Sequence, residues 1–240
     1  MTGLGTIINT AGILAGGAAG YLFGSRFNSR IQEALTAACG VSVLFIGIAG
    51  AMEGMLQLQD GALSSGQSML VVLSLALGAL IGEWINIEGL FERFGSWLKV
   101  KTGNARDKKF VDAFVTSSLT VCIGAMAIVG SIQDGIYGDF SVLATKAILD
   151  LIIVLVMTCS LGIGCIFSAI PVAVFEGLLT FLARFLRPVM TEAALANLSL
   201  VGSVLIFCVG LNLLWKKKVR VANLLPSVVL AVAAAFLPVG

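Results

Sequence analysis

The 240-residue chain contains no histidine. That one absence excludes Ser-His-Asp catalysis, imidazole proton shuttling and His-ligated zinc. Charge is scarce as well: Asp, Glu, Lys and Arg make up 12% of the residues, against roughly a quarter in an ordinary soluble domain. No Cys-x-x-Cys pair occurs. The five cysteines, Cys39, Cys122, Cys159, Cys165 and Cys208, each lie in an apolar stretch and read as small buried hydrophobes, not as a disulfide framework. There is no Gly-x-x-x-x-Gly-Lys-Ser/Thr loop and no Gly-x-Gly-x-x-Gly after a strand-like segment, so ATP-driven and dinucleotide chemistry have no motif. We therefore expect no enzyme, no cofactor and no metal set. The net charge is only +2, and Lys and Arg gather near apolar ends, which marks orientation in a bilayer and excludes nucleic acid as a partner. The start carries neither a basic region nor a small-residue cleavage site around its first apolar run, so that run is expected to stay in the protein.

What remains is apolar. Hydrophobic residues make up 58% of the chain, and the mean hydropathy is +1.04. About twenty apolar residues cross a hydrocarbon layer as a helix, and seven windows of that kind follow one another: Leu4 to Gly24, Ala34 to Met52, Met69 to Ile87, Asp112 to Ile132, Ile148 to Ile170, Ala193 to Trp215 and Val221 to Val239. Tyr21, Trp84, Trp97, Tyr137 and Trp215 fall near window ends, where amphipathic rings meet headgroups. The fold class is all-α, a polytopic transmembrane bundle forming one integral domain over 1–240.

Small residues recur every four positions: Gly12, Gly16, Gly20 and Gly24, then Ser74, Gly78 and Gly82, then Ser160, Gly164 and Ser168. Each set lies on one helix face. In lipid there is no hydrophobic drive between helices, and bare faces of this sort let backbones approach closely. Gly12, Gly16, Gly20, Gly24, Gly78, Gly82 and Gly164 are the expected packing positions, within the chain or in a homo-oligomer.

Loop charge sets a direction. Arg26 and Arg30 lie in the first connection, six Lys or Arg lie between Arg93 and Lys109 in the third, and Arg184 and Arg187 lie in the fifth. The second and fourth connections carry Asp60, Asp134 and Asp139 without Lys or Arg. The positive-inside tendency then puts the N-terminus outside. Lys216, Lys217, Lys218 and Arg220 violate this plan with seven spans, and fit it with eight if Val142 to Ala183 crosses twice.

A repeat favours seven. Glu88-Gly89-Leu90 opens an amphipathic segment suited to a membrane surface, and Glu176-Gly177-Leu178 opens another. The chain reads as hairpin units over 1–54, 61–135 and 142–215, followed by a final helix at 221–239. Internal repeats of this kind occur in transporters and in scaffolds.

Polar groups inside spans carry any chemistry. Asn9 and Thr10 lie in the first span, and Thr116, Ser117, Ser118 and Thr120 precede Gly124 in the fourth. Gly130, Gly135 and Gly138 flank Asp134, and Pro171 suggests a helix break. Lys146 and Asp150, four apart, read as a pair that neutralises itself near the outer surface, and Glu176 reads as an interfacial carboxylate. Asn9, Thr120, Gly124, Asp134 and Asp150 are the candidate transport path.

Gly5-Thr6-Ile7-Ile8-Asn9, the run Cys122-Ile123-Gly124-Ala125-Met126-Ala127-Ile128-Val129-Gly130-Ser131-Ile132-Gln133-Asp134-Gly135, Lys146-Ala147-Ile148-Leu149-Asp150, and Ser168-Ala169-Ile170-Pro171-Val172 resemble the bacterial YqgA/YdfK-type integral membrane family of unknown function. The resemblance spans the whole chain. It implies a multi-pass protein of the bacterial inner membrane and supplies no substrate or site residue. Two functions are expected from the sequence: a small-solute or ion transporter or channel, or a glycine-packed scaffold or accessory subunit.

Overall fold

A computed structural model describes residues 2–24, 26–59, 62–215 and 219–237. Its elements are α1 (Leu4–Gly24), α2 (Ser29–Met55), a hairpin of β1 (Leu56–Gln59) and β2 (Ala62–Ser65), α3 (Ser68–Ile85), α4 (Ile87–Lys101), α5 (Phe110–Cys122), α6 (Ala125–Tyr137), α7 (Ser141–Leu161), α8 (Ala169–Phe181), α9 (Ala183–Leu186), α10 (Glu192–Trp215) and α11 (Pro226–Ala234). Short 3-10 turns, Ile163–Ser168 and Val221–Leu224, lead into α8 and α11. Six helices are long and apolar enough to cross a membrane, and seven crossings result when the bent pair α5–α6 is counted as one span. The shorter apolar leg Val221–Ala234 follows them.

Along the glycine-striped helices small residues face the neighbouring helix, while Phe110, Phe114, Leu143 and Met157 fill the centre of the bundle. On α3 the buried positions are Ser74, Gly78 and Gly82, while Leu73, Leu77, Leu80 and Trp84 are exposed. Lipid solvates the large side chains as well as a neighbouring helix would, so the gain lies in close backbone contact. A side chain added to Gly12, Gly16, Gly20 or Gly24 would strike Ala147, Leu151, Leu155 or Cys159 in turn, so α1 and α7 lie side by side and run parallel. Gly78 and Gly82 meet Ser227 and Asn223, which sets α11 antiparallel to α3, and Gly164 rests on Phe110 at the start of α5. Gly40, Gly47 and Gly54 of α2 meet Leu214, Phe207 and Leu200 of α10, also antiparallel.

These contacts give every leg a direction. α8 runs back along α1, since Gly17 faces Ile166 and Thr6 faces Thr180. The region Val142 to Ala183 therefore crosses twice, and the expected window Ile148 to Ile170 is in fact the end of one span and the start of the next. Gly162 makes the reversal, at φ 105°, a conformation that disfavours any residue with a side chain. With this extra crossing, Arg184 and Arg187 move to the face that holds the start of α1, where Arg187 lies over the Tyr137 ring. Arg26, Arg30 and the cationic stretch Arg93 to Lys109 share the opposite face, called basic below. Arg220 lies there too, bonded to Glu83 at 2.9 Å; Lys216, Lys217 and Lys218 lie outside the described residues.

The two Glu-Gly-Leu segments differ. α4 lies at the basic face with Asn86 accepting from the Gly89 N–H, Leu90 and Trp97 exposed, and Phe94 stacked on Trp97 at 5.7 Å. Glu176-Gly177-Leu178 instead lies within α8, where Leu178 and Phe181 face outward and Glu176 and Thr180 are buried. The same stripe thus serves opposite surroundings: water meets the polar side of α4, and the bundle interior meets the polar side of α8.

Candidate functional site

The fourth crossing is broken. Ile123 leaves the helical region, at φ −83° and ψ 119°, and Gly124 follows at φ 154°, so α5 and the helix after Gly124 meet at 62°. A break deep in a bundle frees backbone carbonyls that hydrocarbon cannot satisfy, so a polar partner must be supplied. Here the partner is Lys146 of α7, whose ammonium donates to the Val121 carbonyl at 2.7 Å. A cation at the negative end of α5 also matches the helix dipole.

Lys146 is bonded as well to Asp150, one turn further along α7, and lies 3.9 Å from Oε1 of Glu176 on α8. The amide of Asn9, on α1, donates to that same Oε1 at 2.8 Å. Four helices converge on a polar group in which Asn9, Glu176, Asp150 and Lys146 are 0%, 1%, 4% and 6% exposed. Two carboxylates face one ammonium, and Asn9 Oδ1 and Glu176 Oε2 are buried with no hydrogen-bond partner among the described residues. Removing an ion from water costs several kcal/mol even after relaxation, so a buried excess of negative charge holds room for one more positive charge.

Asp134 has a different environment. Its two carboxylate oxygens accept from the N–H groups of Gly3, at 3.2 Å, and Gly5, at 2.9 Å. These are amides of the first turn of α1 and its approach, which have no intrahelical acceptor, and the positive end of the helix favours a carboxylate there. Asp134 thereby latches α6 to α1. Thr6 and Thr180, whose hydroxyls are 3.5 Å apart, lie between this latch and the buried charges.

From the basic face, a cavity of about 640 Å³ enters between α2, α5 and α10. Glu33, Asp112 and Lys109 stand near its mouth, and Thr116, Leu119 and Val209 line it further in. Leu119 precedes Val121 by two residues, about 3 Å of helix rise. The lining thus stops one turn of α5 short of Ile123, and none of Asn9, Lys146, Asp150 or Glu176 takes part in it.

Of the sequence-derived path residues, Asn9 and Asp150 belong to the buried group, and Gly124 forms the break. Thr120 returns its hydroxyl to the Thr116 carbonyl of its own helix at 2.8 Å, and Asp134 stands at the latch. Lys146 and Glu176 are the residues sequence reasoning placed elsewhere. A span drawn from Ser141 would have set Lys146 and Asp150 inside the bilayer, and the run Leu161-Gly162-Ile163-Gly164 carries the signal for a reversal before α8. Among the described residues no group of three or more metal-ligating side chains occurs.

Comparison with known proteins agrees with the architecture. The chain is 29% identical over 226 residues to the uncharacterized membrane protein YdfK of Bacillus subtilis (strain 168), covering 94% of this chain and 93% of that protein. It is 30% identical over 232 residues to the uncharacterized protein YqgA of Escherichia coli (strain K12), covering 95% and 94%. No solved structure matches. The family model described as "Protein of unknown function (DUF554)" matches residues 4–236, and the chain belongs to that family of membrane proteins.

Proposed function

We propose that this chain is a transporter or channel for a small solute or ion, working through the broken fourth crossing. One observation carries the reading: a buried lysine, two buried carboxylates and an amide converge on a helix break, more charge than satisfying the Val121 carbonyl requires. Intramembrane ionisable groups are costly and gather at pathways, and interrupted helices place freed backbone groups and dipole ends at transport sites. The cavity from the basic face supports the same reading, because its lining reaches Leu119, one turn of α5 before the break. The latch at Asp134 and the Thr6–Thr180 pair lie across the opposite route, which fits a form open to one face only.

A flux screen tests this. Purified protein in liposomes is expected to move at least one small solute or ion faster than empty vesicles, and a broad screen without movement contradicts the proposal. The scaffold alternative gains nothing from Gly12, Gly16, Gly20, Gly24, Gly78, Gly82 and Gly164, because α7, the segment Asn223 to Ser227 and α5 already cover them.

Orientation is part of the proposal. The basic face is the cytoplasmic one by the positive-inside tendency, in a bacterial inner membrane, with the N-terminus periplasmic. Since the last leg runs back from the basic face, a C-terminal reporter fusion is expected on the same side as the N-terminus.

A further inference from the structure

Within that transport reading, we propose that Glu176 is a proton-carrying carboxyl, loaded from the basic-face cavity, and that Lys146 is the positioning cation that lets it unload. The buried group has two acceptors without donors among the described residues, Asn9 Oδ1 and Glu176 Oε2. It also holds two carboxylates against one ammonium. A single proton on Oε2 answers both: it forms one O–H bond, supplies the missing donor and brings the charge of the group from minus one to zero. A metal ion would need several oxygens at once and would sit beside the Lys146 ammonium, whereas a proton needs one lone pair.

Release is as well provided for as loading. When the proton leaves Oε2, the electron pair stays on the carboxylate. The Lys146 ammonium already lies 3.9 Å from Oε1 of that carboxylate while held by Asp150, so it can shift its weight between two partners without crossing apolar ground. The Asn9 amide holds the Glu176 carboxyl in place through Oε1 in both states. Neighbouring charge comes from few sources. α7 supplies Lys146 and Asp150, α6 supplies Asp134, committed to the Gly3 and Gly5 amides, and α9 supplies Arg184 at the far surface. α5 presents the Cys122 thiol, and α1 presents only the uncharged Asn9 and Thr6.

Infrared difference spectroscopy of the lipid-embedded protein tests the assignment without any transported solute. Between acid and alkaline buffers the wild type is expected to lose a protonated-carboxyl C=O band. Glu176→Gln is expected to lack that band, Glu176→Asp to keep it at a shifted frequency, and Asp134→Asn to leave it unchanged. Glu176→Asp decides the matter even if Glu176→Gln does not fold. No band in the wild type, or an unshifted band in Glu176→Asp, overturns the proposal. Sodium added at constant pH is expected to leave the band in place; its removal by sodium would mean that the site takes a metal ion and would overturn the proton. A band without flux in any liposome assay would sink the transport reading and leave the proton site standing, and flux without a band would do the reverse.

Discussion

Asp134 and Glu176 are both buried carboxylates against α1, yet their surroundings differ in kind. Asp134 has a backbone N–H for each oxygen, from Gly3 and Gly5, and the positive end of a helix to match its charge. Among the described residues Glu176 has a donor for one oxygen and none for the other, and it shares the nearby Lys146 cation with Asp150. The first arrangement is complete and has nothing to exchange. The second is short of one positive charge. Counting partners, not burial or charge alone, separates a carboxylate that holds two helices together from one that can take something up.

The comparison can be broken most forcefully at Lys146. Lys146→Met leaves Asp150 and Glu176 buried without a cation and frees the Val121 carbonyl, and breaking a buried ion pair in this way costs about 3–5 kcal/mol. A large drop in thermal midpoint in detergent is expected, with part of it recovered in Lys146→Met/Asp150→Asn, where one of the two stranded carboxylates is gone. Equal stability of the single variant and wild type would mean that the group is not buried as described.

A smaller effect is expected at the latch. Asp134→Asn keeps one acceptor oxygen and loses the charge, a cost of about 1–2 kcal/mol from the weakened bonds and dipole, measured by the same unfolding assay. Flux is expected to survive. If Asp134→Asn stops flux in folded protein while Glu176→Gln does not, the roles of the two carboxylates are reversed.

Much of this was legible in the sequence, for reasons that particular residues make plain. Gly12, Gly16, Gly20 and Gly24 announced a bare face because four-residue spacing on a helix has one meaning, and α7 lies along that face. The polar group was partly legible through Asn9, Gly124 and Asp150. Lys146 and Glu176 read as interfacial charges in the sequence because hydropathy locates apolar windows and not the turns inside them. A stretch as continuous as Val142 to Ala183 hides its reversal at Gly162, and drawing one span there pushed both residues to a surface. Which stripe-bearing segment faces water was equally hidden, since α4 and α8 share a pattern and differ only in what lies against the polar side.

The glycine contacts give a control. Gly16→Ala places a methyl group against the Leu151 carbonyl, and forced overpacking of this kind costs about 1–3 kcal/mol. Gly177→Ala meets nothing within 4 Å and is expected to leave the melting temperature unchanged or slightly raised. An equal loss at both positions would show that α1 and α7 are not in contact at Gly16.

The smallest effect concerns a carboxylate at the surface. Asp139 accepts from the Ser141 N–H at 3.0 Å, which holds its carboxyl below the ordinary value. A lowered value means that its contribution is present at neutral pH and is lost as acidification passes through the folded-state value. The midpoint difference between wild type and Asp139→Asn should therefore shrink on acidification, and growth of that difference would contradict the contact.

Everything distinctive in this account requires water to reach the break from the basic face and not from the other. Thiol labelling in sealed vesicles measures this directly, with single cysteines introduced at Leu119 and Thr6 in protein whose five native cysteines are replaced. Leu119→Cys is expected to react with a membrane-impermeant reagent added on the basic side, and Thr6→Cys to resist it from both sides. Resistance of Leu119→Cys from both sides, or ready labelling of Thr6→Cys from the opposite face, would contradict the account.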